Sequence, residues 1–180
     1  MRARLPVGLA DLSIGGVSQL HFTLNGAPAQ VDADETELLL DVLRGKLELY
    51  GARFGCGAGQ CGTCAVLLDG VPVMACSTEV GAVAGRSVTT VEGLGTPEAP
   101  HPLQTAFLEL QAGQCGYCLS GLLVASAALI ARNPDPGRAE IAQALDGHLC
   151  RCGVHNRVID AVTLAARRMR AQPEQEGAPA

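Results

Sequence analysis

Eight cysteines fall into two groups of four, and this constrains the fold more than any other feature of the chain. The first set is Cys56, Cys61, Cys64 and Cys76, spaced C-x4-C-x2-C-x11-C. The second is Cys115, Cys118, Cys150 and Cys152, spaced C-x2-C-x31-C-x-C. No cysteine is left over. Thiolate sulfur is a soft ligand suited to iron–sulfur clusters, and four thiolates complete one cluster. The pattern reads as two one-electron centres, which points to an electron conduit more than to a catalyst of bond chemistry.

An even cysteine count also admits disulfides. Disulfide scaffolds are typically Cys-dense chains of under ~80 residues. This chain has 180 residues, 48% of them apolar, so a core can form without covalent staples. Cys150-Arg151-Cys152 is also a poor pair for bridging itself. The thiols therefore imply assembly in a reducing compartment. The cytoplasm is the expected location; the alternative is the periplasm or a membrane surface, reached through a partner's signal or anchor.

A net charge of −5 without a basic cluster argues against nucleic-acid binding. No apolar run approaches the ~20 residues of a membrane span. The N-terminal MRARLPVGLADLSIGG reads as an ordinary extension before the first strand, because Asp11 interrupts its apolar stretch and its arginines are not adjacent.

Two halves emerge along the chain, an α+β half and an all-α half. Gln19 to Leu24 alternates polar and apolar residues up to Asn25-Gly26, a strong hairpin signal, with Gln30 to Asp32 as the return strand. Asp34, with Glu37 three residues on, predicts a helix start. Leu39, Val42, Leu43 and Leu47 then recur at helical spacing. A glycine-rich loop spans Gly51 to Gly62, and Asp69-Gly70 joins two further short strands, Ala65 to Leu68 and Val71 to Met74. Ser87 to Val91 adds a β-branched run. Two hairpins, one helix and a cysteine loop predict a β-grasp domain over 18–92.

GLGTPEAP, residues 93–100, reads as a linker. Four helices are expected over 101–171. Pro102 stands at a helix start, with Leu103, Ala106, Phe107 and Leu110 on one face. Leu119 to Ala131 is apolar nearly all round and reads as buried. Ile141, Leu145 and Leu149 line a third helix; Val158, Ile159, Val162, Ala166 and Met169 line a fourth. Residues 172–180 read as a disordered polar tail.

C-x4-C-x2-C with a distant fourth cysteine is the plant-type [2Fe–2S] spacing. Its loop, GCGAGQCGTC, carries glycines that can turn backbone N–H groups toward sulfur. Zinc loops instead show two separated C-x2-C pairs. A nucleotide-binding reading of the G-x-G-x-G stretch fails, because it lies between cysteines and opens no helix. A Rieske centre needs two histidine ligands, and the eight cysteines already satisfy two clusters. His148 and His155, flanking the last cysteine pair, are expected at the surface or beside ligands; His21 and His101 receive no role.

In the second set, Cys118 and Cys152 each precede a predicted helix. Helices packed side by side would meet at their N-termini, where free N–H groups and the positive dipole end suit an anionic cluster. Zinc remains the alternative on spacing alone.

GCGAGQCGTC, then Cys76, then QCGYCLSG and LCRCGVHNR, resemble the iron–sulfur subunit of the xanthine oxidase family of molybdenum hydroxylases. The resemblance covers roughly Leu20 to Arg170. It implies a ferredoxin-like domain and a four-helix domain, each with one [2Fe–2S] cluster. It implies a large partner subunit holding molybdopterin, often as the cytosine dinucleotide, that hydroxylates an N-heterocycle or an aldehyde. By motif position Gln114 would hydrogen-bond the pterin and Cys152 would lie at its edge. Electrons would leave from the ferredoxin-like cluster to a cytochrome c or a flavin subunit. The CLSG and GVHNR variants resemble the two-subunit, cytochrome-linked members, such as isoquinoline, nicotinate and membrane-bound aldehyde dehydrogenases.

Overall fold

Hairpin chemistry builds the first half. The computed structural model describes residues 16–171, so the N-terminal extension and the residue 172–180 tail lie outside it. β1 (Ser18–Leu24) and β2 (Ala27–Ala33) pair antiparallel, His21 opposite Gln30. Their turn puts Asn25 at φ 51° and Gly26 at φ 83°, the left-handed pair that a two-residue type I′ turn requires. Asp69-Gly70 repeats this between β3 (Ala65–Leu68) and β4 (Val71–Met74). β5 (Ser87–Thr89) runs parallel to β1 and antiparallel to β3, giving the order β2-β1-β5-β3-β4.

Alternation puts Leu20, Phe22 and Val31 on the inner face. There they meet Leu39, Leu40, Val42 and Leu43 of α1 (Leu39–Gly45). Cys64 and Cys76 are buried in the same core.

The second half has its own core. α2 (Pro102–Glu109), α3 (Leu119–Arg132), α4 (Arg138–Ala144) and α5 (His155–Ala171) bury Leu103, Phe107, Leu122, Ile141, Val158 and Val162. α2 packs mainly on α5, while α3 leans on β3.

Several boundaries depart from the sequence expectation. Asp34 and Glu37 do form a reciprocal pair, with Asp34 N–H donating to Glu37 Oε1 and Glu37 N–H to Asp34 O, each at 2.9 Å. They close a turn, and α1 starts later, at Leu39. Bonds from Leu39 N–H to Thr78 O and from Val80 N–H to Glu37 O draw residues 37–39 toward 78–80, so tertiary pairing overrides the local cap. β5 stops at Thr89, before Val91. α4 ends at Ala144, and Leu149 is 63% exposed on a loop instead of lining a helix. Its N–H is used elsewhere, on Cys61 O at 3.0 Å. His101, to which the sequence assigns no role, caps α2: its Nδ1 accepts from Leu103 N–H at 3.1 Å, and Gln104 Oε1 accepts from His101 N–H at 2.8 Å.

The halves meet backbone to backbone. A Cβ on Gly121, in the first turn of α3, would stand 2.0 Å from Gly62 O. A Cβ on Gly62 would stand 2.3 Å from His148 Nδ1, and Gly62 also has φ +74°. Only hydrogen fits at either place.

Gly121→Ala should lower stability by about 1–3 kcal/mol, the range for overpacking. Gly45→Ala is the control: its added Cβ would meet nothing within 4 Å, and it lies in the last turn of α1. That variant should be neutral or gain about 0.5–1 kcal/mol, the helix-interior advantage of alanine. Thermal unfolding of the three loaded proteins checks this; equal midpoints for Gly121→Ala and wild type would refute the close approach.

Candidate iron–sulfur sites

The first cysteine set is built on one loop and one turn. Cys56, Cys61 and Cys64 lie on the segment entering β3, and Cys76 lies in a 3-10 turn, Ala75–Ser77, after β4. Backbone amides point at the sulfurs. Ala58 and Gln60 N–H donate to Cys56 Sγ at 3.3 Å each, Cys56 N–H to Cys61 Sγ at 3.4 Å, and Gly59 N–H to Cys76 Sγ at 3.3 Å. Gly59 reaches Cys76 from φ +67°, a conformation other residues rarely adopt.

The sulfurs associate two by two. Cys56 pairs with Cys61, and Cys64 with Cys76, each pair within thiol hydrogen-bonding reach. In the second set Cys115 pairs with Cys152 and Cys118 with Cys150. Among the described residues no three His, Cys, Asp or Glu side chains converge to hold a single metal ion. Four soft thiolates in each set, with backbone amides directed at their sulfurs, are the donor chemistry of a [2Fe–2S] cluster. The donor sets therefore fit a [2Fe–2S] cluster in each cage.

Each cage has an exposed, acidic corner and a more buried, basic one. Hydrogen bonds from the Ala58 and Gln60 amides lower the Cys56 thiol to about 6, whereas burial raises Cys64 to about 11. Cys115 is lowered, chiefly by the Tyr117 N–H. Burial raises Cys118 to about 12. Burial opposes ionisation of Cys150 too, but the Val154 N–H, the Cys118 thiol and the amides of Cys152 and Gly153 outweigh it and the pKa falls. Cys118 is the cap of α3, and Val154 immediately precedes α5. The expected meeting of two helix starts at the second cage is thus present, with α5 starting three residues after Cys152.

Of the two places expected for His148, the structure gives the one beside the ligands: it is buried against Gly62, next to Cys61, and its Nδ1 has no hydrogen-bond partner. Burial holds its imidazole below the usual range, so it is neutral at pH 7. His155 Nε2 lies 2.8 Å from His148 O and must carry the proton there, because a carbonyl only accepts. His21 is exposed on β1.

Gln114 is exposed, and its Nε2 donates to Cys152 O at 3.4 Å. It lines a groove of about 850 Å³ with Leu119, Leu123, Phe107 and the 78% exposed Leu108.

A seam that carries no sequence motif joins the cages. Thr63 Oγ1 donates to Tyr117 O at 2.9 Å, and Ser120 Oγ to Thr63 O at 3.3 Å. Arg53 Nη1 donates to Gly116 O at 2.6 Å, and its guanidinium lies 5.4 Å from the Tyr117 ring centre. Tyr117 Oη donates to Phe54 O. Only the pairing of distant loops reveals these contacts.

Fold and cages together define a two-centre iron–sulfur protein, with one [2Fe–2S] site in a ferredoxin-like half and one in a helical half. Comparison with known proteins narrows this. The family model of the 2Fe-2S iron-sulfur cluster binding domain matches residues 22–85, and that of the [2Fe-2S] binding domain matches residues 90–163. The chain is 45% identical over 151 residues to a nicotinate dehydrogenase subunit of Pseudomonas putida, covering 84% of this chain and 96% of that one. It is 46% identical over 149 residues to the alpha subunit of isoquinoline 1-oxidoreductase from Brevundimonas diminuta, covering 82% and 97%. The crystal structure of quinoline 2-oxidoreductase from Pseudomonas putida superposes at TM-score 0.83 with 36% identity, over 88% of this chain and 99% of that one. The chain belongs to the family of iron–sulfur subunits of the molybdenum hydroxylases.

Thiolate is the reactive form of cysteine. In chelator-stripped protein, limiting iodoacetamide at pH 7 should label Cys56 well ahead of the buried Cys64 and Cys76. The Cys56 rate should fall as pH drops through about 6, where its thiolate is protonated. Mass mapping of the labelled peptides reads this, and uniform labelling would contradict the asymmetry.

Proposed function

We propose that this chain relays single electrons from a molybdopterin-bearing large subunit to an external acceptor, a cytochrome c or a flavin-binding subunit. Cys56, Cys61, Cys64 and Cys76 would hold one [2Fe–2S] cluster and Cys115, Cys118, Cys150 and Cys152 the other. When bound, such a cluster takes up and releases one electron at a potential tuned by hydrogen bonds to its sulfurs. Two sets of four cysteines, the first with backbone amides donating to Cys56, Cys61 and Cys76 sulfur, carry the reading.

The residues of this chain divide the task. The amides of Ala58, Gly59 and Gln60 and of Cys152, Gly153 and Val154 stabilise negative charge on sulfur. Burial of Cys64 and Cys76 keeps water from one side of the first cage. Gln114, tied to the Cys152 carbonyl, would present its amide to the pterin, with Cys152 at the pterin edge. The apolar groove beside Gln114 would be covered by the large subunit. Electrons would enter at the Cys152 side and leave at the exposed Cys56 side. No substrate chemistry occurs on this chain. The large subunit's substrate would be an N-heterocycle or an aldehyde; nicotinate, isoquinoline and quinoline in the names of the relatives favour the former. We propose residues 18–92 and 101–171 as the two domains, with 93–100 linking them.

Metal and acid-labile sulfide analysis of the purified complex is the deciding experiment. Two irons and two sulfides per cage, with molybdenum in a co-purifying larger chain, are expected. Zinc without sulfide would overturn the proposal. Gln114→Ala should keep iron, sulfide and molybdenum content while slowing substrate-driven reduction of the clusters. Unchanged stopped-flow reduction in that variant would remove Gln114 from the electron entry.

A further inference from the structure

We propose that the seam of Arg53, Thr63, Tyr117 and Leu149 sets the spacing of the two cages, and through it the rate of electron exchange between them. The inference rests on the electron-relay reading and adds positioning residues to it.

Two hydrogen bonds cross between the cages, each beginning and ending at or beside a cysteine. Cys61 O, on a cysteine of the first cage, accepts from the N–H of Leu149, which precedes Cys150 of the second. Thr63, which precedes Cys64, donates through Oγ1 to the carbonyl of Tyr117, which precedes Cys118. One hydrogen bond therefore separates each pair of opposing cysteine segments. Ser120 Oγ returns a bond to Thr63 O, so the hydroxyl and the carbonyl of Thr63 are both engaged across the seam, and Thr63 is only 4% exposed.

Arg53 and Tyr117 clamp the outer edge. Arg53 holds Gly116 O from the first half, and Tyr117 Oη holds Phe54 O from the second, with the guanidinium over the tyrosine ring. On the inner side the His148 ring is wedged against Gly62 and Gly121. Contacts on both flanks leave the cysteine loops little freedom to slide. With clusters held by the two cysteine sets, one electron would pass from the cluster at Cys115, Cys118, Cys150 and Cys152 to that at Cys56, Cys61, Cys64 and Cys76, the first being oxidised and the second reduced by that electron. Such a step depends on separation and orientation, which the seam fixes.

The test uses Thr63→Val, an isostere lacking the hydroxyl, and Tyr117→Phe, which keeps the ring. Each is purified as the loaded complex and reduced with dithionite, so the result does not depend on the partner or its substrate. The spin–spin splitting between the two reduced clusters, read by electron paramagnetic resonance, reports their spacing directly. Expected are full iron and sulfide content, a diminished or lost splitting in both variants, and slower inter-cluster equilibration after rapid freezing. Tyr117→Phe decides alone if Thr63→Val does not load, since Tyr117 is 49% exposed and loses only an oxygen. Wild-type splitting in a fully loaded variant would overturn the proposal. Failure of the relay reading would look different: in the wild-type complex dithionite would reduce both clusters and substrate neither.

Discussion

The contact of Gly62 with Gly121 is the constraint on which the arrangement depends. α3 begins one residue after Cys118, and its first turn must lie against the loop that carries Cys61 and Cys64. Any side chain at either glycine would occupy the position of a carbonyl oxygen or an imidazole nitrogen. Backbone contact here joins the loop between Cys61 and Cys64 to the first turn after Cys118. The buried His148 ring packs against both glycines and fills the space beside this contact.

Each cage then solves the same electrostatic problem by different means. A cluster bound by four thiolates is anionic, and it needs donors that do not carry their own countercharge. The first cage uses a glycine-rich loop whose amides converge on Cys56, Cys61 and Cys76. The second uses the segment leading into α5, where Gly153 and Val154 N–H groups reach Cys150. In both, burial raises a thiol on the inner side while an exposed thiol is lowered. Ligation must displace protons from Cys64 and Cys118, so loading is coupled to proton release and is favoured by higher pH.

Local signals in the chain are legible where the physics is local. Asn25-Gly26 and Asp69-Gly70 mark both hairpins, because a type I′ turn depends on two adjacent residues. The apolar faces of α1 and α5 are visible in their spacing, α3 in its nearly continuous apolar run, and so are the two cysteine sets. What fails requires distant partners. The Asp34–Glu37 pair resembles a helix start, yet segment 78–80 captures the chain first. Leu149 continues a helical period, but its N–H is committed to Cys61. For His148 the chain leaves surface and ligand-side positions both open, because nothing in its neighbourhood shows that Gly62 and Gly121 leave room for a ring. His101 gives no signal because imidazole is an uncommon cap, although Gln104 three residues on completes the capping-box spacing.

The exposed corners show why the seam matters more than either cage alone. Cys56 and Cys61 of the first set and Cys115, Cys118 and Cys150 of the second all line one cleft of about 400 Å³, with Tyr117 and Leu149 on its walls. Both cages thus open toward the same space, and Tyr117 and Leu149, although exposed, are held there by their own backbone bonds to the first half. Three of the five aromatic residues, Tyr50, Phe54 and Tyr117, are exposed while only Phe22 and Phe107 serve the cores. Phe54 and Tyr117 are joined across the seam by a hydrogen bond. In a chain that packs its cores mostly with small aliphatics, the Tyr117 ring lies instead at this edge, under the Arg53 guanidinium and tied through its hydroxyl to the Phe54 carbonyl.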